Sequence, residues 1–182
     1  MALQRKDLLG LKGVTAEEIK EILDTSRLDF TQEKQDAETF DLSECLPAIC
    51  EPYQLIAKAK EIDFTFSIQG KCPVHTSKKG LEKILSNLLS NAVSYTKPGC
   101  KITVLLTARQ IKIENECMPI PPDKLAHIFE PFYRPDFARG RKDGGNGLGL
   151  YIVDTLSKAL GLPYQFEATK NPPGMCFILY LP

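Results

Sequence analysis

Two periods of apolar residues run along the chain, and they predict alternating helices and strands. Apolar residues recur every three to four positions in three segments, which predicts helices over residues 43–60, 77–95 and 148–160. A period of two predicts strands over residues 62–68, 102–107, 110–114, 164–168 and 175–181. Shorter extended pieces are expected at residues 40–42 and 72–74. Residues 110–114 should pair with the preceding strand in one hairpin, and the last two strands should form another.

These elements predict an α/β fold class: a two-layer α/β sandwich with a mixed sheet and helices on one face, preceded by a short helix. That short helix is expected over residues 15–28, with Thr15 as N-cap and Glu18 completing a capping box. The predicted division is an N-terminal helical segment over residues 1–29, a polar connector over residues 30–39 and the main domain over residues 40–182.

Composition narrows the function. The 182 residues are 43% hydrophobic, enough for one domain with a substantial core. The formal net charge is zero, so bulk attraction to nucleic acid or a membrane surface is not expected. Neither a membrane span nor a signal peptide is visible, which favours a cytoplasmic location. The six cysteines lack Cys-x-x-Cys spacing and are interpreted as reduced thiols rather than disulfides or metal ligands. His75 and His127 are isolated, and neither is expected to act as a ligand or a catalyst.

A glycine-rich stretch, Gly144-Gly145-Asn146-Gly147-Leu148-Gly149, leads directly into the predicted helix at residues 148–160. Glycine lets a backbone approach an anion closely, and a helix start offers N–H groups and the positive end of a dipole. The spacing fits neither a P-loop nor the dinucleotide-binding fingerprint. The pattern therefore predicts a phosphate cradle of another kind; the alternative is a flexible loop with a tight helix–sheet contact.

Two asparagines lie four residues apart inside a strongly apolar helix. Asn87 and Asn91 project from one helix face, although asparagine is a mediocre helix former. Their oxygens can ligate a hard cation, and their NH₂ groups can donate to phosphate. The pair predicts a functional site; the alternative is two satisfied polar groups at the helix margin.

Between these motifs, a strand ends at Glu114-Asn115, and a proline-containing turn and a short helix follow it. Residues 134–146 are polar and rich in charge, with Arg139, Arg141 and Lys142 preceding the glycines. We interpret this stretch as a mobile lid that carries cationic groups.

Taken together, these stretches resemble the N, G1, F and G2 boxes of bacterial sensor histidine kinases, in the GHKL ATPase superfamily with its Bergerat fold. The resemblance rests on Asn87 with Asn91, Ile113-Glu114-Asn115-Glu116, Phe129-Glu130-Pro131-Phe132-Tyr133-Arg134 and the glycine-rich stretch. The residues of these motifs are most similar to those of vancomycin-sensor-like kinases that detect peptide and cell-wall antibiotics. The resemblance covers residues 40–182, which it identifies as an ATP-binding catalytic domain.

The resemblance implies a role for each motif residue. Asn87 and Asn91 would hold Mg²⁺, with Asn87, Arg134 and Lys142 in the catalytic set. Asn115 would accept from the adenine amino group. The remaining ATP contacts would come from Asn91, Tyr95, Ile120, Phe132, Arg141, Gly145, Gly147, Leu148, Gly149 and Leu150.

Some positions depart from the family pattern. The usual adenine-reading Asp is Asn115, and the glycines expected two and four residues later are Cys117 and Pro119. The basic residue common three positions after the second asparagine is Ser94.

The N-terminal part implies the partners. Residues 22–29 are similar to the end of a sensor kinase's second dimerisation helix. Residues 5–21 are faintly similar to the N-terminal residues of carbamoyltransferases. Residues 1–29 are therefore interpreted either as the end of a dimerisation helix or as a fused segment. No phosphoacceptor histidine motif precedes the domain. The resemblance thus implies a separate dimerisation and phosphoacceptor domain and a cognate response regulator as partners, without nucleic acid or direct membrane contact, in a parent kinase anchored in the cell membrane.

Two other function classes stay open at this stage. Hydrolytic relatives such as topoisomerase and chaperone ATPases place a water-activating Glu where this chain has Asn87, and an amide cannot take a proton. A degenerate kinase domain that only docks partners is the other alternative, because of Asn115, Cys117 and Pro119.

Overall fold

The computed structural model describes residues 36–134 and 147–182. The predicted helix over residues 15–28, the connector as far as residue 35 and the charged stretch from residue 135 to residue 146 lie outside the described residues. In the described part, no helix combines the length and the apolar character that crossing a membrane requires.

Five strands form the main sheet: β2 (Asp63–Ile68), β4 (Lys101–Leu106), β5 (Gln110–Glu116), β6 (Tyr164–Lys170) and β7 (Pro173–Tyr180). Their order across the sheet is β2-β4-β5-β7-β6. Strand β2 runs parallel to β4, and the other neighbours are antiparallel. The sheet is therefore mixed, as the sequence predicts.

Three long helices pack on one face of this sheet. They are α1 (Leu42–Ala59), α2 (Lys78–Tyr95) and α4 (Gly149–Leu160), and the short α3 spans Pro122–Leu125. The side chain of Asp41 caps α1 and that of Ser77 caps α2, each accepting a backbone N–H of the first turn. Gly161 ends α4 in the left-handed conformation, with φ of 68°. The predicted α/β sandwich is confirmed.

The core lies between these helices and the inner sheet face. On β5, Ile111 and Ile113 are buried, and the period of two continues to Asn115 on the same face. Asn115 is paired in register with Ile102 on β4 and Met175 on β7, both of which are buried. The alternation of side chains along β5 thus places the Asn115 amide at the end of a row of buried isoleucines.

The sequence predicts short extended pieces at residues 40–42 and 72–74, but not that they pair in a second, two-stranded sheet. It pairs β1 (Ala37–Asp41) antiparallel with β3 (Pro73–Ser77). Strand β1 includes the last three residues of the predicted connector. It ends at residue 41, one residue before the predicted end of the extended piece over residues 40–42. Its residues Glu38 and Thr39 are exposed, so the segment lacks the apolar alternation by which a strand is identified in sequence.

Candidate functional site

A cavity of about 290 Å³ lies between the helices and the sheet. Residues of α2 and α4 form what we call its helix side, which includes Asn87, Asn91 and Gly149. Residues of β5, β7 and the segment after β5 form its sheet side, which includes Asn115 and Met175. Motifs that are far apart in sequence therefore meet around one space.

On the helix side, the orientation of Asn87 is fixed by the backbone. Its Nδ2 donates to the carbonyl oxygen of Lys83, one turn earlier in α2, at 2.8 Å. A carbonyl can only accept, so the amide nitrogen must occupy that position, and Oδ1 is held on the other side. A fixed amide oxygen is a suitable ligand for a hard divalent cation, so this side chain fits Mg²⁺.

Both asparagines converge on the start of α4. A Cβ placed on Gly149 would lie 3.3 Å from Asn87 Oδ1, 3.3 Å from Asn91 Nδ2 and 3.4 Å from Asn91 Oδ1. Glycine at this position lets the first turn of α4 approach both amides. No side chain of the described residues caps α4, and its first turn carries no acidic residue. A helix start with this environment suits an anion.

Gly147 brings the glycine-rich stretch against the F-box segment. Its φ is +80°, and an added Cβ would lie 2.8 Å from the carbonyl carbon of Phe132. The Phe132 N–H donates to the Gly147 carbonyl oxygen at 3.1 Å, and Phe132 itself has a positive φ of 65°. Conformation and contact both require glycine here, and the bond fixes where α4 begins relative to residues 126–134.

On the sheet side, Asn115 is hydrogen-bonded to the residue that follows α2. Its Nδ2 donates to the hydroxyl of Thr96 at 3.2 Å, and Thr96 is buried. The Oδ1 atom is the other end of the amide, and it accepts no hydrogen bond from the described residues. Asn115 therefore offers the cavity a neutral acceptor.

Two sulfur-bearing side chains line the cavity together with Asn115. Cys117 and Met175 both line the cavity, and the Met175 Sδ accepts the Ile120 N–H at 3.4 Å. Gly174 lies so close to β5 that a Cβ would collide with the Asn115 carbonyl oxygen. These contacts hold the segment after β5 against β7 and set the shape of the sheet side.

The charge of the cavity wall is one-sided. Lys97 and Arg134 line it, whereas no aspartate or glutamate of the described ranges does. The two glutamates next to Asn115 alternate onto the opposite sheet face. There Glu114 pairs with Lys112 at 2.8 Å, and Glu116 accepts the Lys101 N–H at 3.0 Å. The wall therefore suits a polyanionic ligand.

Apart from Cys117, the cysteines and both histidines lie outside the cavity wall. None of the six cysteines forms a disulfide. Burial raises the pKa of Cys50 to about 12 and that of Cys176 to about 11, so both stay neutral thiols. His75 hydrogen-bonds Thr39 and His127 pairs with Glu130, outside the cavity wall. Among the described residues, no group of three His, Cys, Asp or Glu side chains could hold a metal ion.

Most of the predicted site residues meet at the cavity. Its wall includes Asn87, Asn91, Tyr95, Asn115, Ile120, Arg134, Gly147, Leu148, Gly149 and Leu150. Phe132 does not line it; its ring packs against the core and its backbone contacts Gly147. The remaining predictions, Arg141, Lys142 and Gly145, lie outside the described residues. Sequence reasoning missed Lys97 and Met175, because neither belongs to a motif and only strand register brings Met175 beside Asn115.

Known sensor histidine kinases are similar to this chain in sequence. The chain is 30% identical over 171 residues to the sensor histidine kinase CusS of Escherichia coli O157:H7, covering 92% of this chain and 35% of that protein. It is 32% identical over 168 residues to the sensor protein VanSB of Enterococcus faecalis, covering 90% of this chain and 37% of that protein. The chain thus spans about a third of the length of these relatives.

A solved structure and a family profile agree with these relatives. The mycobacterial sensor histidine kinase MprB superposes with a TM-score of 0.65 at 25% identity, covering 80% of this chain and 97% of that one. The profile of the histidine kinase-, DNA gyrase B-, and HSP90-like ATPases matches residues 76–182, more than half of the chain. The chain therefore belongs to this ATPase family, in the form found in sensor histidine kinases.

Proposed function

We propose that this chain is the ATP-binding catalytic domain of a two-component sensor histidine kinase, and that it transfers the γ-phosphate of ATP to a histidine on a separate dimerisation domain. The observation that carries the proposal is the convergence of the Asn87 and Asn91 amides on Gly149, at a helix start beside the cavity. This arrangement offers oxygen ligands, amide donors and backbone N–H groups to a triphosphate within one small region.

Phosphoryl transfer needs positioning and charge neutralisation more than covalent help from the protein. When bound, Mg²⁺ would neutralise charge on the phosphate oxygens, and Asn87 and Asn91 would hold it. The backbone from Gly147 to Leu150 would orient the phosphates at the start of α4. Arg134 lines the cavity and would offset negative charge there, as would Arg141 and Lys142.

The base would bind on the sheet side. Asn115 Oδ1 would accept from the adenine amino group, while Thr96 holds the other end of the amide. Tyr95 and Ile120 line the cavity and would contact the nucleotide through apolar surface. Among the described residues, the wall has no carboxylate, so base recognition would use neutral hydrogen bonds.

The hydrolytic alternative is not favoured. A water-activating base is needed where Asn87 lies, and this amide already donates to the Lys83 carbonyl. Since an amide cannot take up a proton, water attack would lack the general base, which accounts for ~10²–10⁴-fold of rate.

The partners in this proposal are the dimerisation and phosphoacceptor domain of the same kinase and a cognate response regulator. Residues 1–29 would form the end of the dimerisation helix or belong to a fused segment. Residues 30–39 would connect this segment to the catalytic domain, which residues 40–182 would form. The site would operate in the cytoplasm, in a parent kinase anchored to the membrane.

Two measurements test the proposal. Calorimetric titration of the chain with ATP, with and without Mg²⁺, should show Mg²⁺-dependent binding. Incubation with γ-labelled ATP should leave the chain unlabelled, and addition of the parent kinase's dimerisation domain should produce acid-labile label on that domain. Absence of ATP binding would instead indicate an interaction module. Acid-stable label on the chain, or rapid phosphate release without the partner, would contradict the kinase assignment.

A further inference from the structure

The amide of Asn115 is held by a group that can either accept or donate. Its Nδ2 donates to the Thr96 hydroxyl at 3.2 Å, and that hydroxyl makes no other hydrogen bond among the described residues. A hydroxyl carries one donor and two acceptor sites. Thr96 therefore satisfies the amide in the orientation seen here, and it would satisfy the reversed orientation equally well, by donating its own hydrogen to Oδ1.

No carboxylate of the described residues favours one orientation of the amide over the other. Across the described ranges, no carboxylate lines the cavity beside Asn115. Glu114 and Glu116 lie on the other face of β5, where Lys112 and the Lys101 N–H engage them. Cys117 and Met175 line the same cavity, and their sulfurs are weak hydrogen-bonding groups.

The ammonium group of Lys97, which lines the cavity, favours a base that carries an oxygen atom. Lys97 follows Thr96 directly and lines the same cavity. An ammonium group is attracted to a carbonyl oxygen, and it gains nothing from an amino group, since both are donors. A carboxylate at position 115 would reverse this balance by repelling a carbonyl oxygen and accepting from an amino group.

We propose that the site accepts purine nucleoside triphosphates that carry either a 6-amino or a 6-oxo group. With a 6-amino purine, Asn115 Oδ1 accepts from the amino group and Nδ2 donates to Thr96. With a 6-oxo purine, the amide reverses, so that Nδ2 donates to O6 and the Thr96 hydroxyl donates to Oδ1. Every hydrogen bond of the first arrangement has a counterpart in the second. This inference rests on the proposed function, because it concerns the base of the same nucleotide.

The unaltered chain provides the first test. We would titrate it by calorimetry, in Mg²⁺, with ATP, with ITP and with purine riboside triphosphate, which has no substituent at position 6. ATP and ITP should bind within about tenfold of each other, and the unsubstituted purine should bind several-fold more weakly than both because it makes no hydrogen bond at that position. ITP binding weaker than ATP by more than about tenfold would overturn the inference and leave the proposed function intact. Failure to bind any of the three would overturn both.

A matched variant provides the second test. Asn115→Asp places a fixed acceptor of nearly the same shape at the position, so O6 would face a carboxylate. The ratio of the ITP and ATP dissociation constants should rise to more than about thirtyfold in this variant. A ratio that stays the same as in the unaltered chain would show that position 115 does not read the base, and it would overturn the inference. Equal binding of all three nucleotides to the unaltered chain would do so as well.

Discussion

On the helix side of the cavity, the amides of Asn87 and Asn91 lie against Gly149. On the sheet side, the single amide of Asn115 donates to the buried Thr96 hydroxyl, and two sulfur-bearing side chains line the cavity with it. The helix side matches the family pattern at Asn87 and Asn91. The sheet side departs from it at Asn115 and Cys117. Metal and phosphate binding require oxygen ligands and close backbone approach, which few residue types provide. Base recognition requires only complementary hydrogen bonds, and several residue types provide those.

The largest expected effect is on the helix side. Asn87→Ala should abolish the Mg²⁺-dependent strengthening of ATP binding and reduce phosphotransfer by ~10²-fold or more, because a bound metal ion stabilises the transition state by several kcal/mol and Asn87 would help to hold it. Calorimetry with and without Mg²⁺ and transfer of γ-labelled phosphate to the dimerisation domain measure the two effects. The thermal transition should stay near that of the unaltered chain. An unchanged Mg²⁺ dependence would remove the metal role from Asn87.

A smaller effect is expected at Gly149, where binding and stability should change in opposite directions. Gly149→Ala adds a Cβ 3.3 Å from both amides, so these must move and ATP binding should weaken by about tenfold. Alanine is also the better helix former, by up to ~1 kcal/mol, so the melting temperature should hold or rise. Calorimetry and thermal unfolding separate the two. Loss of both binding and stability would indicate a packing defect instead.

On the sheet side the expected change is several-fold and favourable. Asn115→Asp should tighten ATP binding, since charge-assisted hydrogen bonds exceed neutral ones by ~1 kcal/mol. Asn115→Ala is the matched control and should weaken binding. If both variants weaken ATP binding, position 115 acts through shape rather than through its acceptor, and the contrast between the two sides becomes smaller.

The smallest effect is expected far from both sides, at Asp41. This carboxylate accepts from the Ser43 hydroxyl at 2.6 Å and from the Ser43 and Cys72 N–H groups at 3.0 Å each. The Ser43 hydroxyl first, and then the Cys72 N–H, lower the pKa of Asp41 below its ordinary value of 3.8. Asp41→Ala should lower the melting temperature by roughly 3 °C at neutral pH without changing ATP affinity.

The pH dependence of this effect has a definite sign. A lowered folded-state pKa means that the contribution of Asp41 is present above pH 3.8 and is lost as the pH falls through the folded value. The difference in melting temperature between the unaltered chain and Asp41→Asn should therefore shrink below about pH 4. A difference that is constant from pH 2 to pH 7 would show that the carboxylate charge plays no part.

Elements with a strong period could be predicted from the sequence with their bounds, whereas for elements held by pairing only a short extended piece could be predicted. Helix α2 has apolar residues at helical spacing and a Ser77 cap, so its predicted bounds agree with the structure within one residue. Strand β1 has no apolar alternation, and only its partner β3 makes it a strand. Pro47 and Pro52 lie inside α1, which local propensity would disfavour, and the buried Leu46 and Cys50 beside them show that packing prevails.

The site divides in the same way. Contacts within one helix, such as the alignment of Asn87 with Asn91, follow from spacing alone. The bond from Asn115 to Thr96 joins a strand to the end of a helix, and the approach of Met175 depends on the register between β5 and β7. Neither leaves a signal in local sequence.

The hydrogen bond between the Phe132 N–H and the Gly147 carbonyl has a consequence for how this family can diversify. It joins two residues that are fifteen positions apart in the sequence, on either side of residues 135–146. With these anchor points joined, a doubling of the intervening length would add only about 0.6 kcal/mol of closure entropy. The number of residues between the two bonded positions can therefore change at little cost to the core, whereas the roles proposed for Arg141 and Lys142 limit which residues can be replaced.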